Sequence, residues 1–572
     1  MRLLLVLVFV LMPSLARAVI YVADNTMTGD CLQPTYNPTA RDCTGNYSKA
    51  YNTIAEAIAQ TVPGDTVYIR QGTWTERIDL QGPNKQGAAG NYLTIGGYPG
   101  DARPVIRCAD QTVGGYGCVK HRTALGWFII QDLTVDGAGL AFNAGWWIAN
   151  GNHDIIIRRV EIKNQQFNAF YVEGASNITF DDLYIHSAHT PDCVVGSRWH
   201  GFYLHHATNV TVKNTTITDM PGIGVQVFPG PLSGITLDSN DIHHNTKCDT
   251  VNNGAVVVLP STTGGPIDNV KIVNSLIHHN GLTAGGQYLG GGGGGVRVLA
   301  SSDTLYATNV QIHNNTIIAN EYLPTCREGG CTGYGIYLGD NNFGAVSIKN
   351  NLVTENEQGA IFLGTGNAIL SNNACQLSEA CGTNGKRSVA TAEDCIISRT
   401  TPDYRLRSGV NVCRNNGTPV SSRPNPVLGV PDIGAYELGF ITGAAVSASV
   451  PDVGGDVGYL DLATSIDTGP IMPATGITGV TITCLTCTGS PVASLVERME
   501  GSQNVVRARV AGLTKSGTCT VSIGATNLTD SRFIGGSLGL AQNVDAVSGY
   551  AVSGICRNTG PVINGGEANW LW

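Results

Sequence analysis

The chain has 572 residues, with 73 glycines, 13% charged residues and a formal net charge of −9. That length allows two or three domains, and low charge with abundant Gly, Asn, Thr and Val suits β-structure with many tight turns. The negative balance argues against general nucleic-acid binding and does not favour an acidic substrate either, although a local basic cleft stays open.

In chain order, Met1-Arg2 precedes the apolar run Leu3 to Leu11, and Ala16-Arg17-Ala18 follows as a small-x-small site. This predicts a secretory signal peptide over residues 1–18, cleaved after Ala18. A membrane anchor is the other reading, but the run is short for a span of ~20 residues. Export predicts that the 16 cysteines are used as disulfides rather than as metal ligands. Close pairs are Cys31/Cys43, Cys108/Cys118, Cys326/Cys331, Cys375/Cys381 and Cys395/Cys413, each able to staple a local loop. Cys484-x-x-Cys487 is spaced like a redox or zinc motif but has no histidine nearby, so it too reads as a disulfide.

Thr53-x-x-Glu56 reads as a capping box opening a short amphipathic helix over 54–58, ended by Pro63-Gly64. A helix there would cap the open end of a solenoid. The sequence then becomes repetitive, from about Val62 to about Asn373. The pattern at 154–162 recurs at 177–185, 209–217, 234–242, 269–277, 309–317 and 345–353. A later strand in each unit falls at 169–172, 201–204, 224–227, 255–258, 295–298, 335–338 and 360–363. Self-similarity with alternating β-branched residues marks a solenoid of strands, each with one buried face. Three strands per coil stack only as parallel sheets, and the crossover rule makes the coil right-handed. Asn214, Asn274, Asn314, Asn350 and Asn372 share one turn position, where side chains can bond along the axis.

Residues 441–572 change character, with Ser, Gly, Thr and Val dominant and no histidine. The segments 480–483, 506–510 and 518–523 read as strands of a small β-sandwich accessory domain, or of an extension packed on the solenoid. The expected fold is therefore all-β: residues 19–440 a right-handed parallel β-helix with an N-terminal cap helix, then a β-sandwich-like domain.

Several segments resemble a known superfamily. Residues 51–58, 63–69 and 72–76 look like the N-terminal cap and first coil of secreted pectate-lyase-like β-helix proteins. The Ile-His-x-Asn and Gly-x-Tyr-Leu units resemble that superfamily's repeats, and 403–406 and 431–437 resemble the segment that closes such domains in bacterial proteins. The resemblance covers roughly residues 19–440 and implies the fold more strongly than a reaction. Its members include polysaccharide lyases, glycoside hydrolases, epimerases and non-catalytic binders. It brings no complete catalytic signature. Some related lyases use calcium, which makes Ca²⁺ a candidate cofactor, but no run of Asp here defines a cage.

All 12 histidines lie between His121 and His313. His186, His243 and His278 share one register position, and His244 and His279 the next. A turn ladder of stacked histidines explains them, with a metal or catalytic ladder as the alternative. In the third strand, period two sends Tyr171, Tyr203, Gln226, Val257, Arg297, Tyr337 and Phe362 outward in one column. Sugar rings pack on such aromatics, although ordinary stacking along a sheet explains them equally. Long insertions between the second and third strands leave one corner of the solenoid and would wall a groove beside the column. Cys193 and Cys248 lie in two of them and are expected to pair, and the glycine run 290–295 would give a third unusual freedom.

The expected catalytic set is His200, Tyr203, His205, Glu173 and Arg297, with Tyr171, Gln226, Tyr337 and Phe362 binding substrate. Glu173 and His205 occupy equivalent positions on adjacent coils, where a carboxylate can raise and orient an imidazole. Tyr203 would protonate a leaving oxygen, and Arg297 would clamp a uronate carboxylate. This predicts a secreted, monomeric polysaccharide lyase acting by β-elimination on a uronic-acid polymer. A hydrolase would need two facing carboxylic acids. The alternative is a non-catalytic glycan-binding or cell-surface adhesin. No membrane span after signal cleavage and no nucleic-acid partner are expected, and no metal ligands are assigned.

Overall fold

The computed structural model describes most of residues 18–435 and, from 441 to 556, chiefly the backbone of the strands. Outside the described residues lie 1–17, connecting segments including 108–116, 138–144, 189–198, 248–253, 282–293, 300–306, 321–332 and 421–432, several shorter ones, and the tail after 556. The signal-peptide core, Cys108, Cys193, Cys248, Cys326, Cys331, Cys487, most of the glycine run and the expected groove-walling insertions therefore fall outside them.

Three parallel sheets form the body, with 13, 12 and 10 strands. Successive strands of each sheet belong to successive coils, as the repeat predicts. One full coil reads His153–Arg158, Glu161–Lys163 and Phe170–Glu173, contributing one strand to the first, second and third sheets in turn. Period-two alternation decides what enters the core: along Phe202–His205, Phe202 and Leu204 are wholly buried while Tyr203 and His205 face out. Inward rings stack between coils, Phe170 on Phe202 at 4.9 Å and 6°.

The turn between first and second strands holds a left-handed residue in nine successive coils, at Asp132, Arg159, Asp182, Asn214, Ser239, Asn274, Asn314, Asn350 and Asn372, with φ of 52–57°. Asn and Asp adopt that conformation most readily among non-glycine residues. Asn350 donates to Asn314 Oδ1 at 2.9 Å, the axial bond expected of this position, while Asn214 and Asn274 donate to Asp181 and Asp238. The wholly buried ladders lie elsewhere. Asn315, Asn351 and Asn373 form one, and Asn245, Asn280, Asn320 and Asn356 form another, each side chain bonding the next coil's at 2.9–3.1 Å.

The helix Ile54–Ala59 forms where predicted, with Thr53 Oγ1 accepting from Glu56 N. Its first free N–H groups, on Ile54 and Ala55, are taken by the Glu76 carboxylate at 2.8 and 3.1 Å. Ile54, Ala57 and Ile58 join the solenoid core. The first sheet starts earlier than predicted, because Ile20–Ala23 pairs with both Thr66–Ile69 and Lys49–Tyr51.

At the other end, Val389, Ala392, Ile396 and Ile433 pack on Leu276, Ile318, Leu352 and Ala374, on the outer face of the second sheet. Disulfides Cys31–Cys43, Cys375–Cys381 and Cys395–Cys413 form as expected, and Cys118 is disulfide-bonded. Beyond residue 440 the strands are antiparallel, in two sheets built on Gly455–Thr464 and Gly517–Asp530. Among the described residues no helix is long and apolar enough to cross a membrane.

Candidate functional site

The outward column of the third sheet forms in register. Tyr171 pairs with Tyr203, then Gln226, Val257, Arg297, Tyr337 and Phe362 follow strand by strand. Trp147 extends it one coil earlier. The column is not one platform, however. Its lower part is an aromatic stack: Trp147 and Tyr171 lie 6.2 Å apart at 18°, Tyr171 and Tyr203 5.4 Å apart at 21°. Phe228 adds an edge 6.3 Å from Tyr203. Its upper part is Arg297, whose guanidinium carbon sits 5.2 Å from the Tyr337 ring centroid, with Phe362 stacked beyond at 4.9 Å and 8°. Between them Gln226 and Val257 are buried, and Arg297 is buried as well.

Arg297 does not join the other residues of the expected catalytic set. Arg297 stands three strands from Tyr203, about 14 Å at the usual spacing of neighbouring strands, too far to share one glycosidic bond with it. Its stem is covered by Gly254, where a Cβ would come within 3.2 Å of Arg297 Cγ. Gln226, expected to bind substrate, is likewise covered. Tyr171 remains on the lower stack, and Tyr337 and Phe362 remain half-buried on the upper one.

Around Tyr203 the other three expected residues do assemble. Glu173 and His205 are paired across adjacent strands, with Oε1 and Nδ1 3.9 Å apart and both side chains about a quarter exposed (26% and 20%). The His205 ring lies 5.9 Å from that of Tyr203 and 6.0 Å from that of Tyr171. Burial, helped by the His206 ring 4.1 Å away, holds His205 below the usual imidazole range. Glu173 opposes that shift without overcoming it, so the expected rise is corrected: His205 is neutral at pH 7 and able to accept a proton. His200 is buried at 3% exposure. Its Nδ1 accepts the Ile223 N–H at 2.9 Å and its own N–H donates to Asn168 at 2.9 Å, with its ring 5.8 Å from Tyr203. Those bonds fix its tautomer and make it a supporting wall for Tyr203.

A second cluster lies on the second sheet. His186, His243 and His278 end the strands Tyr184–His186, Asp241–His243 and Leu276–His278, so they belong to strands and not to the turn expected of them. The turn residues are His244 and His279, at φ 52° and 50°. His243 and His278 stack at 4.8 Å and 20°. Asp241, which the histidine pattern did not include, lies 3.1 Å from His278 Nε2 and 3.8 Å from His243 Nε2. Among the described residues this is the one group of three or more metal-type side chains brought together. One carboxylate and two imidazoles do not suit calcium, which takes six to eight oxygen ligands, so this cluster is not a calcium site.

Residues 124–375 match the family model described as the right-handed β-helix region. The solenoid is a pectate-lyase-like right-handed parallel β-helix. Pectate lyase L of Paenibacillus polymyxa is 22% identical over 330 residues, 56% of this chain, and the chain spans 62% of that relative's length. Among solved structures, pectate lyase Pel9A aligns at 15% identity and TM-score 0.40, covering 73% of this chain and 96% of that one. A rhamnogalacturonan lyase aligns at 16% and 0.37, covering 69% and 95%. PfbA, a surface adhesin of Streptococcus pneumoniae, aligns at 12% and 0.36, covering 58% and 87%. Within the pectate-lyase-like β-helix, Trp147 and Phe228 are the site-lining aromatics that the repeat alignment missed. Trp147 lies one coil before the first aligned third strand, and Phe228 one residue past another, directly before Pro229.

Proposed function

We propose that this chain is a secreted, monomeric polysaccharide lyase that cleaves a uronic-acid-containing glycan across the lower third-sheet platform. The observation that carries the reading is the Glu173–His205 pair beside the stacked Tyr171 and Tyr203 rings. The stack would bind a sugar by its apolar face. Neutral His205 takes the C5 proton of the uronate, Glu173 stabilises the resulting imidazolium, and Tyr203 donates to O4 as the C4–O4 bond breaks. The electrons of the C5–H bond become the C4=C5 double bond, and the phenolate recovers its proton through solvent from His205. The clamp expected of Arg297 has no part in this step. Relatives named for pectate and rhamnogalacturonan lyase activity support the substrate class.

The test is the purified chain on a panel of uronate polymers, following unsaturated-product absorbance alongside new reducing ends. The expected result is both signals rising together, lost in His205→Gln and Tyr203→Phe. Reducing ends without unsaturation would make it a hydrolase. Binding without either would make it the glycan-binding protein that was the alternative reading.

A further inference from the structure

The Asp241, His243 and His278 cluster lies on the second sheet, away from the third-sheet platform. Ile242 and Ile277 point into the core, so period two sends Asp241, His243 and His278 to the outer face of two adjacent coils. Their candidate ligand atoms all lie within 4.8 Å of one another. The Asp241 side chain is 1% exposed and that of His278 7%.

The two imidazoles are held in a particular way. Each turns Nε2 towards the Asp241 carboxylate. Each directs Nδ1 back to the Nδ1 of the next histidine in sequence, His244 at 2.6 Å and His279 at 2.8 Å, and Thr218 Oγ1 approaches His243 Nδ1 at 3.1 Å. His244 and His279 stack in turn at 5.6 Å and 19°. A metal-bound histidine commonly donates its other ring N–H to a fixed partner, which orients the ring and raises its basicity. The left-handed turn residues supply such a partner to both candidate ligands. A buried carboxylate facing two imidazole nitrogens is stabilised by a cation between them, since buried charge is unfavourable unless compensated.

We propose that Asp241, His243 and His278 bind one divalent transition-metal ion of the zinc class through the carboxylate and both Nε2 atoms, stapling two successive coils together. Imidazole with carboxylate selects such ions over calcium or magnesium. Donors in a tetrahedral zinc site stand about 3.4 Å apart, given zinc–nitrogen bonds of roughly 2.0–2.1 Å. The Asp241 carboxylate stands 3.1 Å from His278 Nε2 and 3.8 Å from His243 Nε2, on either side of that spacing. Three protein ligands leave the fourth position to water. The site is independent of the lyase reading.

The test uses the full, tag-free chain, stripped with a chelator and titrated with Zn²⁺, and separately with Co²⁺ as a spectroscopic probe. The expected result is one equivalent bound, a visible Co²⁺ absorption of tetrahedral type, and a melting temperature that rises with Zn²⁺. His243→Gln and His278→Gln should abolish the Co²⁺ spectrum. His279→Ala should weaken binding ~10–100-fold, and His186→Gln should leave it unchanged. If the glutamine variants fail to fold, the near-isosteric Asp241→Asn decides, and it should bind at least tenfold more weakly. Absence of stoichiometric binding, or binding unaffected by Asp241→Asn, overturns the proposal.

Discussion

His121 is wholly buried on the inner face of the third sheet, stacked on Trp146 at 6.2 Å and edge-on to Phe128 at 5.2 Å. Among the described residues neither of its ring nitrogens has a hydrogen-bond partner. Burial pushes it down to about 3, against roughly 6.5 in the unfolded chain. The folded pKa is depressed, so the unfolded chain binds the extra proton, and stability is lost as pH falls below about 6.5. Each pH unit lost below that value removes about 1.4 kcal/mol through this group until its folded pKa is reached. His121→Leu is expected to stabilise the chain at pH 5 by about 2 kcal/mol relative to its effect at pH 8. Urea midpoints at the two pH values, followed by tryptophan fluorescence, check this. An unchanged pH difference would place the acid sensitivity on His243, His278 and His313, whose burial also holds them low.

At the same scale, the proposed site makes Tyr203→Phe and Arg297→Ala differ in kind. Tyr203 faces out from the open stack, so its loss should leave folding intact and lower the cleavage rate by ~10²–10⁴-fold, the usual range for a positioned proton donor. Arg297 is covered and lies over Tyr337, so its truncation should lower thermal stability and leave the rate near that of the parent. Rate and melting temperature measured on both variants separate the two outcomes. The direction of each side chain was legible from strand alternation. Its exposure was not, because alternation gives a direction and not what lies over it, as Gly254 of the neighbouring coil lies against Arg297. Glu173 and His205 were legible as neighbours, since one coil of offset carries one to the other. The sign of the His205 shift was not, because burial depends on the packing around the ring.

At the scale of elements, the repeat spells out strand phase but only part of the turn chemistry. Asn350 in the left-handed turn was visible as a repeated letter, and its axial bond to Asn314 followed. The deeper ladder through Asn245, Asn280, Asn320 and Asn356 stands one residue past a turn, where a polar letter reads as exposed. Its burial follows from the side chains bridging coils. Asn280 donates to Ile242 O at 2.9 Å and to Asn320, and accepts from Asn245 N. Asn280→Ala orphans these buried groups, each worth ~1–3 kcal/mol, so about 2–5 kcal/mol of local stability should be lost. Thr211→Ala, on the outer face of the first sheet, should change it by no more than ~0.5 kcal/mol. Hydrogen exchange of the amides around Ile242 and Ile277 reads the difference, and equal protection in both variants would show the ladder to be dispensable. The strand Ile20–Ala23 escaped the sequence reading for another reason: it stands outside the repeat, and its partners Lys49–Tyr51 and Thr66–Ile69 are distant in sequence.

For the whole molecule, the question is where the solenoid ends. Parallel pairing stops with the strands near Gln376 and Val389, and the strands after residue 440 pair antiparallel among themselves. The stretch between is tied to the solenoid. Cys395 and Cys413 are bonded to each other within it, Ile433 and Val389 pack on Leu276, Ile318 and Leu352, and the Ala435 N–H donates to Thr316 at 3.0 Å. Two truncations should therefore behave oppositely. A chain ending at Leu438 keeps the apolar strip of the second sheet covered, and we expect it to be soluble and to melt close to the temperature of the intact chain's solenoid transition. A chain ending at Asn373 removes both that cover and the last two second-sheet strands, Ala374–Gln376 and Lys386–Val389. It leaves Leu276, Ile318 and Leu352 facing water, the kind of contiguous apolar patch that drives association. It should aggregate or melt well below the longer chain. Light scattering and thermal unfolding of the two truncations decide the boundary. Aggregation of the chain ending at Leu438 would mean that the antiparallel sheets share a core with the solenoid and that no boundary lies near residue 440.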